Sequence, residues 1–156
     1  MILRLRSGGL VSSVTPTSRG PDPGWSRLGY VAREAHEPST AEGFFAGSEL
    51  GLATLARVRD VLATHPDVSE RTTRSQVAFR RRTGFAFLWR PEQYLRHPGA
   101  EVVLSIGLPR RLGSSRFKQV AHPARTTWMH HLEVHDVGDV DDEVAGWLRE
   151  AAGGAG

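Results

Sequence analysis

Arg74, Ser75, Arg80, Arg81 and Arg82 crowd into one short stretch of this chain. With Lys118 and His131 they are the residue types best suited to hold an anion. A guanidinium grips a phosphate or carboxylate through two parallel N–H bonds. Lys118 adds a point charge, Ser75 a hydroxyl donor, and His131 a donor whose strength depends on its proton. The ligand-binding residues expected on this basis are Arg74, Ser75, Arg80, Lys118 and His131. Phe79, Phe85, Phe87 and Trp89 alternate through the same region. Rings beside arginines can stack bases, so a sheet presenting both would suit single-stranded nucleic acid. Period-two alternation instead expects these four rings beneath the helices as core, which leaves phosphate attraction alone. No RNP-type motif or recognition-helix pattern is present, so base-specific readout is not expected.

His131, Glu133 and His135 share a strand face by the same alternation. Two imidazoles and a carboxylate are acceptable ligands for Zn, Fe or Mn, which makes a metal- or histidine-dependent enzyme the alternative. Residues two apart on a strand rarely close a site, and His122 or His97 would have to supply a further ligand. The plainer expectation is a polar outer face with Glu133 paired to an Arg of a neighbouring strand. His130 has the parity of Trp128 and Leu132 and is expected as a hydrogen-bonded core histidine. Lys118 as a base would need an activating pocket. Ser75 lacks a Gly-x-Ser-x-Gly elbow, and no phosphate-binding glycine motif occurs. Asp141, Asp142 and Glu143 fit the start of a helix. No catalytic residue, resident metal or cofactor is therefore assigned.

Charge is distributed unevenly. Arg71 to Arg125 holds eleven arginines and the sole lysine, Lys118, against Glu92 and Glu101. Residues 126–156 hold Arg149 against seven acids. The net charge of +3 hides this polarity, which speaks to anionic partners or to complementary surfaces, not to fold. A third possibility follows: an adaptor whose basic sheet and acidic C-terminal helix complement each other between copies. The absence of cysteine excludes disulfides and thiol chemistry. No apolar run reaches the roughly 18 residues of a membrane span. Met1-Ile2-Leu3-Arg4-Leu5-Arg6 puts charge where a secretory segment is apolar, so a cytoplasmic location is expected.

The elements that position these residues can be read from pattern. Residues 1–38 are rich in Ser, Gly, Pro and Thr and fit a flexible leader, or a start assigned too far upstream. One domain is expected over 39–152, with 153–156 as a disordered tail. Ser39 and Glu42 have capping-box spacing, Gly47 interrupts, and Ser48 caps a helix running to Thr64. Strands are expected at 75–80 and 85–90 as a hairpin, then at 101–106, 117–121 and 128–135. Asp139 is expected to cap a final helix carrying Val140, Val144, Leu148 and Ala151. The expected fold is α+β: a single, mostly antiparallel sheet of four to five strands with N-terminal and C-terminal helices packed on one face.

Three stretches and the final helix carry a resemblance: Thr73 to Phe79, Arg116 to Val120, Trp128 to Val134, and Val144 to Ala151. Together they are similar to a small bacterial module, domain of unknown function 5655, over about residues 40–152. The resemblance implies an accessory role, since similar modules occur beside nuclease-like domains. Members often have Lys where this chain has Arg74, so Schiff-base chemistry at that position is excluded here. The function expected is a small binding module with no chemistry of its own. Its ligand would be a phosphate-bearing small molecule or a nucleic-acid backbone.

Overall fold

The computed structural model describes residues 40–156. The leader expected over 1–38, and Ser39, lie outside the described residues. Thr40 caps α1 (Ala41–Phe44), its hydroxyl accepting from the Gly43 N–H at 2.9 Å. Phe44 and Phe45 pack edge to face, ring centroids 4.8 Å apart, and both are buried. Gly47 then takes φ +83°, a left-handed turn that a side chain would strain. That turn delivers Ser48, whose Oγ accepts from the Gly51 N–H at 2.9 Å and starts α2 (Glu49–Leu62). The Ser48 hydroxyl also donates to Glu101 at 2.5 Å, tying the helix start to the sheet.

The sheet has six strands: β1 (Ser69–Thr72), β2 (Val77–Arg80), β3 (Gly84–Trp89), β4 (Val102–Leu108), β5 (Gln119–Ala124) and β6 (Thr127–Val134). Their order is β1-β2-β3-β4-β6-β5, and every neighbouring pair is antiparallel. The expected α+β architecture holds, but the strand count rises from four or five to six. The added strand is β1, Ser-Glu-Arg-Thr, which carries no apolar residue. A polar edge strand shows no hydrophobic alternation, because it is held by backbone bonds to β2 and by the two-pronged Glu70–Arg59 pair, neither of which needs an apolar side chain.

The last helix, α3 (Asp142–Gly154), is capped by Asp141, whose carboxylate accepts from the Val144 N–H. Asp139, expected in that role, instead closes a capping box with Asp136 one turn earlier. The C-terminal residues are not a loose tail. Ala155 is buried, and its carbonyl accepts from the Arg82 and Thr83 N–H groups in the β2–β3 turn.

The core lies between the helices and one face of the sheet. Leu55, Val58, Val61 and Leu62 of α2 and Val144, Leu148, Ala151 and Ala152 of α3 meet Val77, Phe79, Leu88, Leu104, Ile106, Leu132 and Val134. Register fixes which residues share that face. Phe79 pairs with Ala86 and Val77 with Leu88, so β3 sends Ala86 and Leu88 inward. Phe87 pairs with Ala78 and with Ser105, and Trp89 pairs with Val103. The expectation that all four rings are core therefore needs correcting. Phe79 and Phe85 are core, Phe85 falling at the register shift between Phe79 and Arg80 that breaks the alternation of β3, whereas Phe87 and Trp89 lie on the opposite, outer face of the sheet. Both parities of β3 are apolar, so alternation alone does not say which set faces the helices.

Candidate functional site

The outer face is built from registered rows that run across the strands. The central row is Arg71, Ala78, Phe87, Ser105, His131 and Gln119, in the order β1, β2, β3, β4, β6, β5. On one side of it lie Trp89, Val103 and Glu133. On the other lie Arg80 and then Gly107, Met129 and Ala121. Small residues at Ala78, Gly107 and Ala121 keep the face low around the half-buried Phe87 ring and Met129.

A buried polar chain crosses the centre. The Trp89 indole donates to Ser105 Oγ at 2.9 Å, and Ser105 Oγ lies 2.7 Å from His131 Nδ1. The Trp89 and His131 rings meet edge-on at 6.3 Å. Ser105 and His131 are 3% and 5% exposed. Burial holds the His131 imidazole neutral and pushes its pKa down to about 4. His131 Nε2 is sealed and has no hydrogen-bond partner among the described residues. The neighbouring His130 points to the core face, as expected, and there accepts from the Leu112 N–H at 2.9 Å through Nε2. Its Nδ1 faces the Ile106 carbonyl at 3.1 Å, completing both ring nitrogens.

Arg74 and Ser75 sit together in the loop entering β2. Ser75 hydrogen-bonds the half-buried Tyr94, whose hydroxyl pKa is raised by burial and partly offset by Ser75 and the Arg74 charge. The Tyr94 and Trp89 ring centroids are 6.5 Å apart, so this corner adjoins the polar chain. Gln93 reaches the Arg74 carbonyl, and Gly99 packs against the Glu133 carboxylate, so the segment from Arg90 to Ala100 folds over this edge of the face. Lys118 is exposed and lies 3.8 Å from Glu133; His135 is 3.6 Å from the same carboxylate. Glu133 thus pairs with Lys118, where the plainer reading of this strand expects an arginine. Arg80 stands at the far end of β2 from Arg74.

Arg74, Ser75, Arg80, Lys118 and His131 accordingly occupy one face but do not converge on one point. Arg74 and Ser75 share a corner, His131 lies in the middle of the sheet, Lys118 beyond β6, and Arg80 at the opposite end. Arg71 joins them. It is invisible to hydrophobic pattern because it lies on the polar strand β1, and only its register opposite Ala78 puts it on this face. Ser105 and Tyr94 also escape a reading by motif. Each lies in an apolar or loop segment without spacing that marks it, and the fold alone brings it to Trp89 and His131.

Much of the basic charge is compensated within the chain. Arg81 bonds Asp67, and Arg90 bonds Glu92. Arg110 makes a two-pronged pair with Glu150, and Arg116 joins Asp141 and Glu143. The complementarity between basic stretch and acidic helix that an adaptor would use between copies is made here inside one copy. Among the described residues, Arg71, Arg80, Arg82, Arg96, Arg111 and Arg125 have no carboxylate within ion-pair distance. The alternative metal set does not gather: His131 turns to Ser105, Glu133 to Lys118 and His135, and His122 stacks flat on Trp128 at 3.7 Å. Among the described residues no three His, Cys, Asp or Glu lie close enough to hold a metal ion. Nor is any described helix long and apolar enough to cross a membrane.

A family model described as a domain of unknown function, DUF5655, matches residues 42–152. No curated protein and no solved structure matches the chain.

Proposed function

The chain belongs to the DUF5655 family, whose description carries no activity, and from that premise we propose on physical grounds that it is a binding module for an extended polyanion. The ligand is a single-stranded nucleic-acid backbone laid across the outer face of the sheet, and the module performs no chemistry of its own. The setting is the cytoplasm, where such a ligand is available. The observation that carries this reading is the central row, which has at one end a cation with no carboxylate in ion-pair distance among the described residues, then Ala78, the Phe87 ring, and polar groups beyond. Arg80 is the diagonal neighbour of Arg71 across the β1–β2 pair and doubles the cation.

Distance favours a long ligand over a compact one. From Arg71 on β1 to His131 on β6 there are four inter-strand steps. At about 4.8 Å each, they span roughly 19 Å. No single phosphate or carboxylate touches both ends, whereas a strand of a few nucleotides does. Phe87 then offers a stacking surface under the bases, while the arginines neutralise phosphates.

The test is a salt titration of oligothymidine binding. Each phosphate neutralised adds about 0.7 to the log–log slope on single strands. Arg71→Ala and Arg80→Ala should each lower the slope by about that amount. A flat salt response, or a slope that neither substitution changes, overturns the reading. Tight binding of inorganic phosphate with none of oligothymidine would replace it by a small-molecule site.

A further inference from the structure

The two bonds at Ser105 fix the state of a histidine in the middle of the outer face. An indole N–H can only donate, so Ser105 Oγ is the acceptor of the Trp89 bond at 2.9 Å. The serine keeps one proton to give, and His131 Nδ1 lies 2.7 Å away. If Ser105 donates, Nδ1 is the acceptor and the ring carries its proton on Nε2. In the reverse assignment Nδ1–H donates to Ser105. The Ser105 proton then has no acceptor and Nε2 has no donor, so two buried groups are unmet in place of one. The first arrangement is the one the surroundings support. Covalent geometry adds direction. Nδ1 adjoins the ring carbon bonded to Cβ and is tied towards β4, while Nε2 lies at the distal end of the ring, away from the β6 backbone.

We propose that the His131 Nε2–H is a preset hydrogen-bond donor for a phosphate oxygen of the bound strand, held in that tautomer by Trp89 acting through Ser105. This rests on the polyanion reading above and places a second contact four strands from Arg71. His131 then serves as a neutral donor whose direction is fixed before binding, not as a proton-dependent one. Nε2 is sealed, so the ligand reaches it only as the face opens around the ring, and the bound oxygen satisfies the group that the fold leaves unmet. Trp89 and Ser105 are positioning residues. Their contribution is the tautomer, not contact with the ligand.

Long-range imidazole nitrogen–proton NMR on the full chain tests this without a substitution. Expected are a pyrrole-type signal for His131 Nε2 and a pyridine-type signal for Nδ1; the opposite pattern overturns the inference. Trp89→Phe, which leaves Ser105 free to accept from the ring, should populate the Nδ1–H form. Addition of an oligothymidine of about twelve nucleotides should shift the Nε2 proton. His131→Phe should weaken binding about tenfold, as for loss of one charge-assisted hydrogen bond, with the salt slope unchanged. Salt-dependent binding with an unmoved Nε2 signal and a neutral His131→Phe would overturn this inference and leave the polyanion reading standing. Absence of oligothymidine binding overturns both, whatever the tautomer.

Discussion

His131 and His130 are adjacent in sequence and opposite in role because β6 sends successive side chains to opposite faces. His130 is satisfied at both nitrogens in the core; His131 is satisfied at one. The burial of His131 has a consequence for stability, and its sign can be worked out. Unfolded, the imidazole titrates near 6.5; folded, it titrates at about 4. Between those values the unfolded chain binds more protons, so acid favours unfolding. The loss begins as pH falls below about 6.5, is complete near 4, and amounts to about 3 kcal/mol. Urea unfolding at pH 7 and pH 4.5 should show a larger loss for the wild type than for His131→Phe. Equal losses would mean that the ring is not buried as described. His130 was legible from parity alone, since a histidine flanked by Trp128 and Leu132 on a core strand has one direction to point. The partners of His131 were not legible, because Ser105 is twenty-six residues away and sits in an apolar run that carries no polar signature.

Helix starts were readable at the level of the element wherever a short polar side chain preceded an apolar stripe. Ser48 caps α2 as its position suggests, and the cap of α3 falls two residues later than Asp139, at Asp141, where Val144 supplies the N–H. Gly51 looks like a weakness in the first turn of α2, but it is a packing requirement. A Cβ there would run into the Phe45 ring, which is itself fully buried. Gly51→Ala should therefore destabilise by about 1–3 kcal/mol despite the better helix propensity of alanine. Thermal denaturation checks the sign, and a stabilised variant would mean that the ring moves freely. The sheet was legible where strands alternate apolar with polar, as in β2 and β6. It was illegible in β1, which is polar throughout, and in the parity of β3, where Phe85-Phe87-Trp89 and Ala86-Leu88 are equally apolar. That ambiguity decides whether Phe87 is core or surface, and only the pairing of Ala78 with Phe87 resolves it.

At the scale of the molecule, the basic middle and acidic end of the chain are brought together by α3 lying against β3 and β4. Arg116 is the main junction. It reaches Asp141, Glu143 and the Asp139 carbonyl, with its guanidinium carbon 5.9 Å from the centre of the Trp147 ring. The neighbouring carboxylates raise its pKa. Arg116→Ala should cost about 1 kcal/mol, a value held down by solvent screening of a partly exposed site. The cost should shrink in high salt, which a melting curve at two ionic strengths would show. A salt-independent effect would assign the loss to packing on Trp147.

Strand order has one more implication. β6 is bonded on both sides, to β4 and β5, whereas β1 is bonded on one side by four residue pairs. Amide hydrogens of β4 and β6 should be the last to exchange with deuterium and those of β1 among the first. The backbone is then compliant under Arg71 and stiff under His131, so the opening around the His131 ring is a movement of covering side chains over a fixed β6, and these two points of the central row differ in give as well as in charge.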